Sequence, residues 1–322
     1  MPKTFTAFDN LAKQPGEWLR GSGPESDIVI SSRLRLARNL AHFPFIRKCD
    51  DKAKSDIERL VAGHGGDLDD RDGVRYVDVD SLSEIDRNLL VERQLISRSL
   101  ADGEGARSVL IDPVEKFSVM VNEEDHLRIQ VMRSGLDLST AWDRASGLDD
   151  RLQRSLPLAF DPNLGFLTAC PTNVGTGLRV SVMIHLPGLV ITDQIEKVFR
   201  SLQQINVTVR GLYGEGSQYS GDFYQISNQV TLGRSEDELI HHVAEVTPLI
   251  IDYERKARQF LIDEQNDELQ GQLRLALEML RTADQISSEL TMQCLSKLRM
   301  GVNLGLVQDV SIGTINRLFI QT

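Results

Sequence analysis

Cysteine is scarce. Cys49, Cys170 and Cys294 are the only three in 322 residues, widely spaced and without a CxxC pair. That excludes a disulfide framework and a cysteine zinc site and fits a reducing compartment. Long apolar runs are missing too, and no stretch reaches the roughly 18 residues of a membrane span. Residues 1–18 hold Lys3, Asp9, Lys13 and Glu17 and lack the apolar segment of a signal peptide. Positive charge is in short supply. Thirty-six Lys and Arg against 47 Asp and Glu leave a net charge of −11, which argues against nucleic acid or an anionic membrane as partner. There is no GxxxxGK[ST] phosphate loop, no internal repeat and no low-complexity tract. These absences together predict a cytoplasmic globular protein.

What is present suffices for a sizeable core, with 41% hydrophobic and 26% charged residues. Residues 18–26 read as a connecting loop, followed by a short strand at Ile28-Val29-Ile30. Residues 50–62 and 81–96 carry helical spacing, and residues 63–73 form a polar loop rich in Gly and Asp. Short apolar or alternating runs at 108–111, 117–121 and 127–131, with turn residues between them, predict strands in hairpin-like succession. A helix is expected over 136–152, then strands over 178–185, 207–212 and 223–230. Residues 192–205 between them are amphipathic, with Thr192 as N-cap and Ile195, Val198, Phe199 and Leu202 on one face. Ser235 begins a periodic stretch that runs to about Arg281, with a break expected near Pro248 or Gly271. Two shorter helices follow, at 285–300 and 314–321. The expected fold is α+β, an antiparallel sheet flanked by helices. The chain divides into a catalytic body over 25–257 and a helical C-terminal domain over 258–322.

Four segments carry residue types that are costly to cluster. In Ser31-Ser32-Arg33-Leu34-Arg35-Leu36-Ala37-Arg38, alternation puts Arg33 and Arg35 on one face, and two guanidinium forks side by side make a phosphate clamp. Asn122-Glu123-Glu124-Asp125-His126-Leu127-Arg128 occupies a tight connection between two strands, where three adjacent acids repel one another unless cations lie close. Charge runs usually face water, so each of these two segments alone reads more readily as a solvated edge or turn. The third is Leu167-Thr168-Ala169-Cys170-Pro171-Thr172-Asn173-Val174-Gly175-Thr176-Gly177-Leu178-Arg179. Its glycines permit close backbone approach to a ligand, and Cys170 is either a polarised thiolate or a small packing residue. The fourth, Arg210-Gly211-Leu212-Tyr213-Gly214-Glu215-Gly216-Ser217, is a mobile loop able to close over a substrate, or a long hairpin connection.

In this order the four segments resemble the phosphagen kinase family of ATP:guanidino phosphotransferases. The motifs that carry the resemblance are Asn-Glu-Glu-Asp-His-Leu-Arg at 122–128, Cys-Pro-Thr-Asn-Val-Gly-Thr-Gly at 170–177, Ser-Ser-Arg-Leu-Arg at 31–35 and Arg-Gly-Leu-Tyr-Gly-Glu at 210–215. Residues 24–33 and 226–233 are similar to the pattern of the bacterial protein-arginine kinases within it. The resemblance implies a phosphagen-kinase-type sheet and transfer of the γ-phosphoryl group of ATP to arginine residues of proteins. The alternative is a free guanidino metabolite such as L-arginine. A phosphoarginine- or nucleotide-binding module without activity fits less well with so complete a residue set.

The resemblance implies nucleotide contacts from Ser31, Ser32, Arg33, Leu34 and Arg35, from Gln94, and from Arg128. Further contacts are implied from Arg179, Val180, Ser181, Val182 and Met183, and from Arg210, Gly211, Leu212, Tyr213 and Gly214. The five arginines among them surround the phosphates. It implies a catalytic group of Glu124, Glu215, Cys170 and Asp125. Glu124 holds the acceptor guanidinium and takes its proton, and Glu215 grips its other side. Mg²⁺ bridges phosphate oxygens, with no residue of the chain assigned as its ligand. Implied partners are arginine-bearing protein substrates, a zinc-containing activator protein, a heat-shock repressor, a Clp-type protease and a second copy of the chain. Gln94 stands where the family usually shows a histidine. Metabolite-specific members carry a helical domain before the catalytic body, for which the position of Arg33 leaves no room. Protein-arginine members continue beyond the position of Thr322 with some of their phosphoarginine-binding arginines, so loss of that regulation is expected. The acidic, Gly-rich segment 49–80 is given no role.

Overall fold

The structure, a computed structural model, describes residues 16–68, 73–211 and 221–321. Its centre is an eight-stranded antiparallel sheet. In chain order the strands are β1 (Val29–Arg38), β2 (Arg75–Asp78), β3 (Ser108–Ile111), β4 (Phe117–Val121), β5 (Leu127–Ser134), β8 (Leu178–His185), β9 (Val207–Gly211) and β10 (Phe223–Asn228). The intervening β6 (Phe160–Asp161) and β7 (Gly165–Phe166) form a separate small hairpin. The spatial order β2-β3-β4-β5-β1-β8-β10-β9 places β1 in the middle, paired with β5 on one side and β8 on the other.

The period-two alternation of these strands decides what each face becomes. Leu34 lies opposite Val131 and Val180, and Leu36 opposite Ile129 and Leu178. With Val182 and Ile226 these side chains form one apolar face and enter the main core. Helices α4 (Leu138–Ser155) and α7 (Glu236–Glu264) cover that face, giving Leu148, Leu152, Val243 and Ile250 among others. The opposite register carries Arg33, Arg35, Gln130, Arg128, Arg179, Gln225 and Arg210. A single sheet thus separates an apolar side from a polar, cationic one.

Five further helices are α1 (Asp51–Gly63), α2 (Glu84–Glu92), α3 (Arg98–Asp102), α5 (Pro187–Ile191) and α6 (Ile195–Gln203). At the C-terminal end lie α8 (Asn266–Thr282), α9 (Ser288–Asn303) and α10 (Ile312–Gln321). Leu295 and Leu298 of α9 and Ile315 and Phe319 of α10 pack with Ile30, Met132, Met183 and Phe223 in a second core. The C-terminal helices therefore close one end of the polar face and leave the other open.

Three expected boundaries move. The periodic stretch from Ser235 passes straight through Pro248 and breaks at Gln265, where φ is −133°, with no break at Gly271. Ser235 starts it with a capping box closed by Glu238. Thr192 does not cap the amphipathic helix. It ends the short α5, its hydroxyl donating to Gly188 O at 2.8 Å, and α6 begins three residues later. The helix expected over 81–96 is interrupted at Gln94, which takes a left-handed φ of 59°.

Candidate active site

The polar face of the sheet floors a cleft of about 640 Å³ whose lining includes seven arginines (Arg33, Arg35, Arg47, Arg98, Arg128, Arg179 and Arg210) and two glutamates, Glu123 and Glu124. Register explains how five of the arginines converge. Arg35 sits directly opposite Arg179 across β1 and β8, a like-charge pair that a sheet normally avoids. Arg128 lies one pair further along β5, opposite Ala37. Arg210 faces Gln225 from β9.

Arg128 pairs with Glu123 and Glu124, whereas Arg33 is held by uncharged groups. Arg33 donates from Nη1 to Gln94 Oε1 at 2.8 Å and from Nη2 to Gln225 Oε1 at 2.7 Å, both uncharged acceptors. Burial, followed by the charges of Arg179 and Arg128, lowers its pKa to about 10. Arg35 is pushed well below the usual guanidinium range, chiefly by burial and then by Arg33, Arg128 and Arg179. Its buried Nε has no hydrogen-bond acceptor. Arg179 donates to Ser227 Oγ at 3.0 Å. Buried guanidinium groups crowded together with amide and hydroxyl partners are unfavourable until an anion arrives, and a polyphosphate supplies what is missing.

The kink at Gln94 is built for this contact. Arg93 makes a buried two-point ion pair with Glu115, both bonds 2.7 Å, which fixes the end of α2. The chain then turns through Gln94, whose carbonyl accepts from Gln130 Nε2 at 2.6 Å. Its side chain is thereby delivered to Arg33.

The acidic turn resolves into three separate fates. Asn122, at φ 60°, anchors it by donating to Lys54 O and Ala106 O at 2.9 and 2.8 Å. Glu123 accepts from Ser97 Oγ at 2.7 Å and from Arg128 Nη1 at 2.8 Å. Glu124 is 36% exposed in the cleft and touches Arg128 Nη2 at 3.1 Å. Asp125 is fully buried, does not line the cleft, and accepts from Asn39 Nδ2 and Ala169 N, both at 2.6 Å. It was expected in the catalytic group. Here it pins the turn to the cysteine loop instead. His126 is likewise structural. Its Nδ1 accepts from Leu40 N and its Nε2 donates to Pro44 O, each 2.9 Å, and burial lowers its pKa so that the ring is neutral.

Cys170 lines the cleft with Thr172 and Asn173, its Sγ 3.0 Å from Thr172 Oγ1. Thr231 fastens this loop from behind, donating to Thr172 O and Val174 O at 2.8 Å. Arg38, the third arginine of its strand, is not in the site. It makes a buried two-point pair with Asp149 at 2.9 and 2.8 Å and stacks on Phe166.

Other expected nucleotide contacts separate by face. The side chains of Leu34, Val180 and Val182 belong to the apolar core and point away from the cleft. Ser32 also faces away, donating to Gly135 O and accepting from Asp137 N. Ser31, Ser181 and Met183 lie on the polar side but do not line the cleft, and Met183 belongs to the second core. Gly211 ends β9 outside the lining. Leu212, Tyr213, Gly214 and Glu215 lie outside the described residues. Sequence reasoning missed Gln225 and Gln130, which hold the arginine network, and Ser97, Arg47 and Arg98 at the rim. Alternation of Gln225 and Ser227 with buried Tyr224 and Ile226 is the one signal that could have found the first of these.

A floor of crowded guanidinium groups beside an accessible carboxylate suits phosphoryl transfer to a cationic acceptor. The chain belongs to the ATP:guanido phosphotransferase family, whose C-terminal catalytic domain it matches over residues 56–257. Residues 266–322 match the protein-arginine kinase McsB C-terminal domain. It is similar to the protein-arginine kinases of Halothermothrix orenii, at 44% identity over 97% of this chain and 89% of that one, and of Symbiobacterium thermophilum, at 44% over 96% and 89%. Among solved structures it is similar in fold to a lombricine kinase, with TM-score 0.63 and 24% identity over 75% of this chain and 71% of that one. A duplicated taurocyamine kinase from Schistosoma mansoni, with bound transition-state-analogue components, gives TM-score 0.62 and 26% identity over 72% and 33%.

Proposed function

We propose that this chain transfers the γ-phosphoryl group of ATP to the guanidinium of arginine residues in proteins. The observation that carries the reading is the row Arg128, Arg35, Arg179 and Arg33 on one face of the sheet, with Glu124 at its open side. The relatives at 44% identity that bear the name protein-arginine kinase support the choice of acceptor.

The γ-phosphoryl group needs positioning and charge neutralisation more than covalent help. Arg33, Arg35, Arg128, Arg179 and Arg210 would surround the phosphates. Glu123 is the fixed partner of Arg128, so Glu124 can exchange its own contact with Arg128 for the acceptor. The acceptor nitrogen attacks phosphorus, the bond to ADP breaks, and the nitrogen's proton passes to Glu124. A free guanidinium holds its proton to above about pH 12. The carboxylate therefore acts only in step with P–N bond formation, once the bound substrates displace water from around it. Cys170 lies where it would bear on the guanidinium's electrostatics, without a covalent role. We propose Glu215 as the second carboxylate on the acceptor.

Mg²⁺ would reach the site on phosphate oxygens and neutralise their charge. The described residues contain no group of three or more His, Cys, Asp or Glu able to cage it. No helix among the described residues is long and apolar enough to cross a membrane. On the family resemblance we also propose a cytoplasmic setting, a division near residue 257, self-association, and as partners a zinc-containing activator, a heat-shock repressor and a Clp-type protease.

The test compares ATP turnover with an unfolded arginine-rich protein and with free L-arginine. Acid-labile phosphate on the protein is the expected result. Turnover with free arginine alone would transfer the assignment to a metabolite kinase.

A further inference from the structure

The two loops that bring Glu124 and Cys170 to the cleft are distant in sequence, and a buried side chain lies between them. Asn39 follows β1 and is 1% exposed. Its Nδ2 donates to Asp125 Oδ1 at 2.6 Å and to Leu167 O at 3.0 Å, and its Oδ1 accepts from His126 N at 2.9 Å. Its carbonyl accepts from Ala159 N at 2.7 Å, and Ala159 O accepts from Leu167 N at 3.0 Å. Asp125 Oδ1 completes the connection by accepting from Ala169 N at 2.6 Å. Asn39 thus holds Asp125 and His126, which directly follow Glu124, and Leu167, three residues before Cys170.

Each loop already has an anchor of its own. Asn122 fixes the acidic turn to Lys54 O and Ala106 O, and Thr231 fastens the cysteine loop from behind. What Asn39 adds is the spacing between them. A primary amide suits that task, because it offers two donors and an acceptor in fixed directions. Asp125 takes both of its bonds on Oδ1, and its buried Oδ2 has no partner, so the link runs through a single oxygen. Asn39 also stands at the end of the strand that carries Arg33 and Arg35. One strand therefore places both the phosphate clamp and the acceptor side. Phosphoryl transfer needs that precision, since reacting atoms must lie about 3–3.5 Å apart and a misplacement of about 1 Å costs about 10²-fold.

We propose that Asn39, acting through Asp125, is a positioning residue that sets Glu124 against the cysteine loop and so fixes where the acceptor nitrogen lies relative to the γ-phosphoryl group. Neither Asn39 nor Asp125 lines the cleft, so both act through the residues they hold. Arg33 and Arg179 keep separate partners in Gln94, Gln225 and Ser227. Loosening Asn39 therefore disturbs the acceptor side and spares the nucleotide side. The proposal rests on the reading of Glu124 as the carboxylate that holds the acceptor arginine.

The test measures kcat, the KM for a single-arginine peptide and the KM for ATP in the full chain and in its Asn39→Ala, Asp125→Ala and Asp125→Asn variants. Val243→Ala, a truncation in the core beneath the opposite face of the sheet, controls for lost stability. Asn39→Ala and Asp125→Ala should each lower kcat/KM for the peptide about 10²-fold, with the KM for ATP within about twofold. Asp125→Asn keeps an oxygen for both donors and should retain most of the activity. Val243→Ala should keep kcat and both KM values below its unfolding midpoint. An unchanged kcat/KM for the peptide in Asn39→Ala overturns the proposal, as does a KM for ATP that rises by the same factor. So does an Asp125→Asn variant as impaired as Asp125→Ala, which would assign Asp125 a role for its charge. If Asn39→Ala does not fold, the two Asp125 variants decide alone. Turnover of free L-arginine with no peptide modified is a different result. It would sink the protein-arginine reading, and the same comparison would then be made on free arginine, with the same outcomes.

Discussion

Arg33 and Arg38 lie on the same strand, five residues apart, and are predicted to respond unequally to the same replacement. Arg38→Met leaves Asp149 buried without its two-point partner and frees the carbonyls of Ala37 and Thr176. Breaking a buried pair from one side costs about 3–5 kcal/mol. Arg33→Met removes a guanidinium whose pKa stands at about 10, which sets an upper figure of about 3 kcal/mol against its charged form in the free protein. Against that relief stand two charge-assisted hydrogen bonds, to Gln94 and Gln225, of about 1.5–3 kcal/mol each. Both amide groups line the open cleft, where water can replace the lost donor. The net change is expected to stay within about 2 kcal/mol. Denaturant unfolding without ligand measures both variants. ATP at 100 times its dissociation constant should stabilise the unsubstituted protein by about 2.7 kcal/mol and leave Arg33→Met unmoved. Equal destabilisation by the two replacements, or undiminished stabilisation of Arg33→Met by ATP, would show that Arg33 is one more structural arginine.

Three further outcomes are expected. Gln225→Glu places a carboxylate on Arg33 where an uncharged oxygen now sits, so the KM for ATP should rise about tenfold or more; an unchanged KM would mean that neutrality of that anchor is irrelevant. Glu124→Gln keeps the size of an exposed side chain and removes the proton acceptor. Its kcat should fall about 10²–10⁴-fold with unfolding unchanged, and full activity would exclude Glu124 as the base. His185 is buried between Ser296 and Arg299 and held neutral, its pKa pushed well down by burial and then by Arg299 and Arg258. The unfolded chain takes up a proton below about pH 6.5 that the folded one refuses, so stability should drop by about 1.4 kcal/mol per pH unit from this group as pH falls. Asp222 and Glu254, whose pKa values burial raises, act in the opposite sense, taking up protons in the folded state above the ordinary carboxylate range, and the His185 variant separates the two contributions. A His185→Gln variant with the same slope between pH 6.5 and 5 would refute the assignment.

Alternation made much of this fold readable. The strand limits at 108–111, 117–121 and 178–185 follow from apolar runs bounded by turn residues, and the pairing of Arg33 with Arg35 on one face follows from period two. What was hidden depends on contacts distant in sequence. Arg38 looks like its neighbours until Asp149 arrives from α4, 111 residues away. Asp125 is indistinguishable from Glu124 until Asn39 and Ala169 close on it. The kink at Gln94 needs the Arg93–Glu115 pair, and Pro248 is tolerated because α7 is held by packing along its length. A segment such as 178–183 also alternates between cleft and core, so a continuous stretch assigned to the nucleotide necessarily includes side chains that cannot reach it.

Transfer from ATP to the nitrogen of a protein arginine is tested most directly by a single labelling measurement. A peptide with a single arginine and no Ser, Thr, Tyr, His or Lys is incubated with the chain, γ-labelled ATP and Mg²⁺, beside a control in which that arginine is replaced by Gln. Label on the arginine peptide alone, lost on brief acid treatment, is the expected result. Acid-stable label, or equal label on the control, would contradict it.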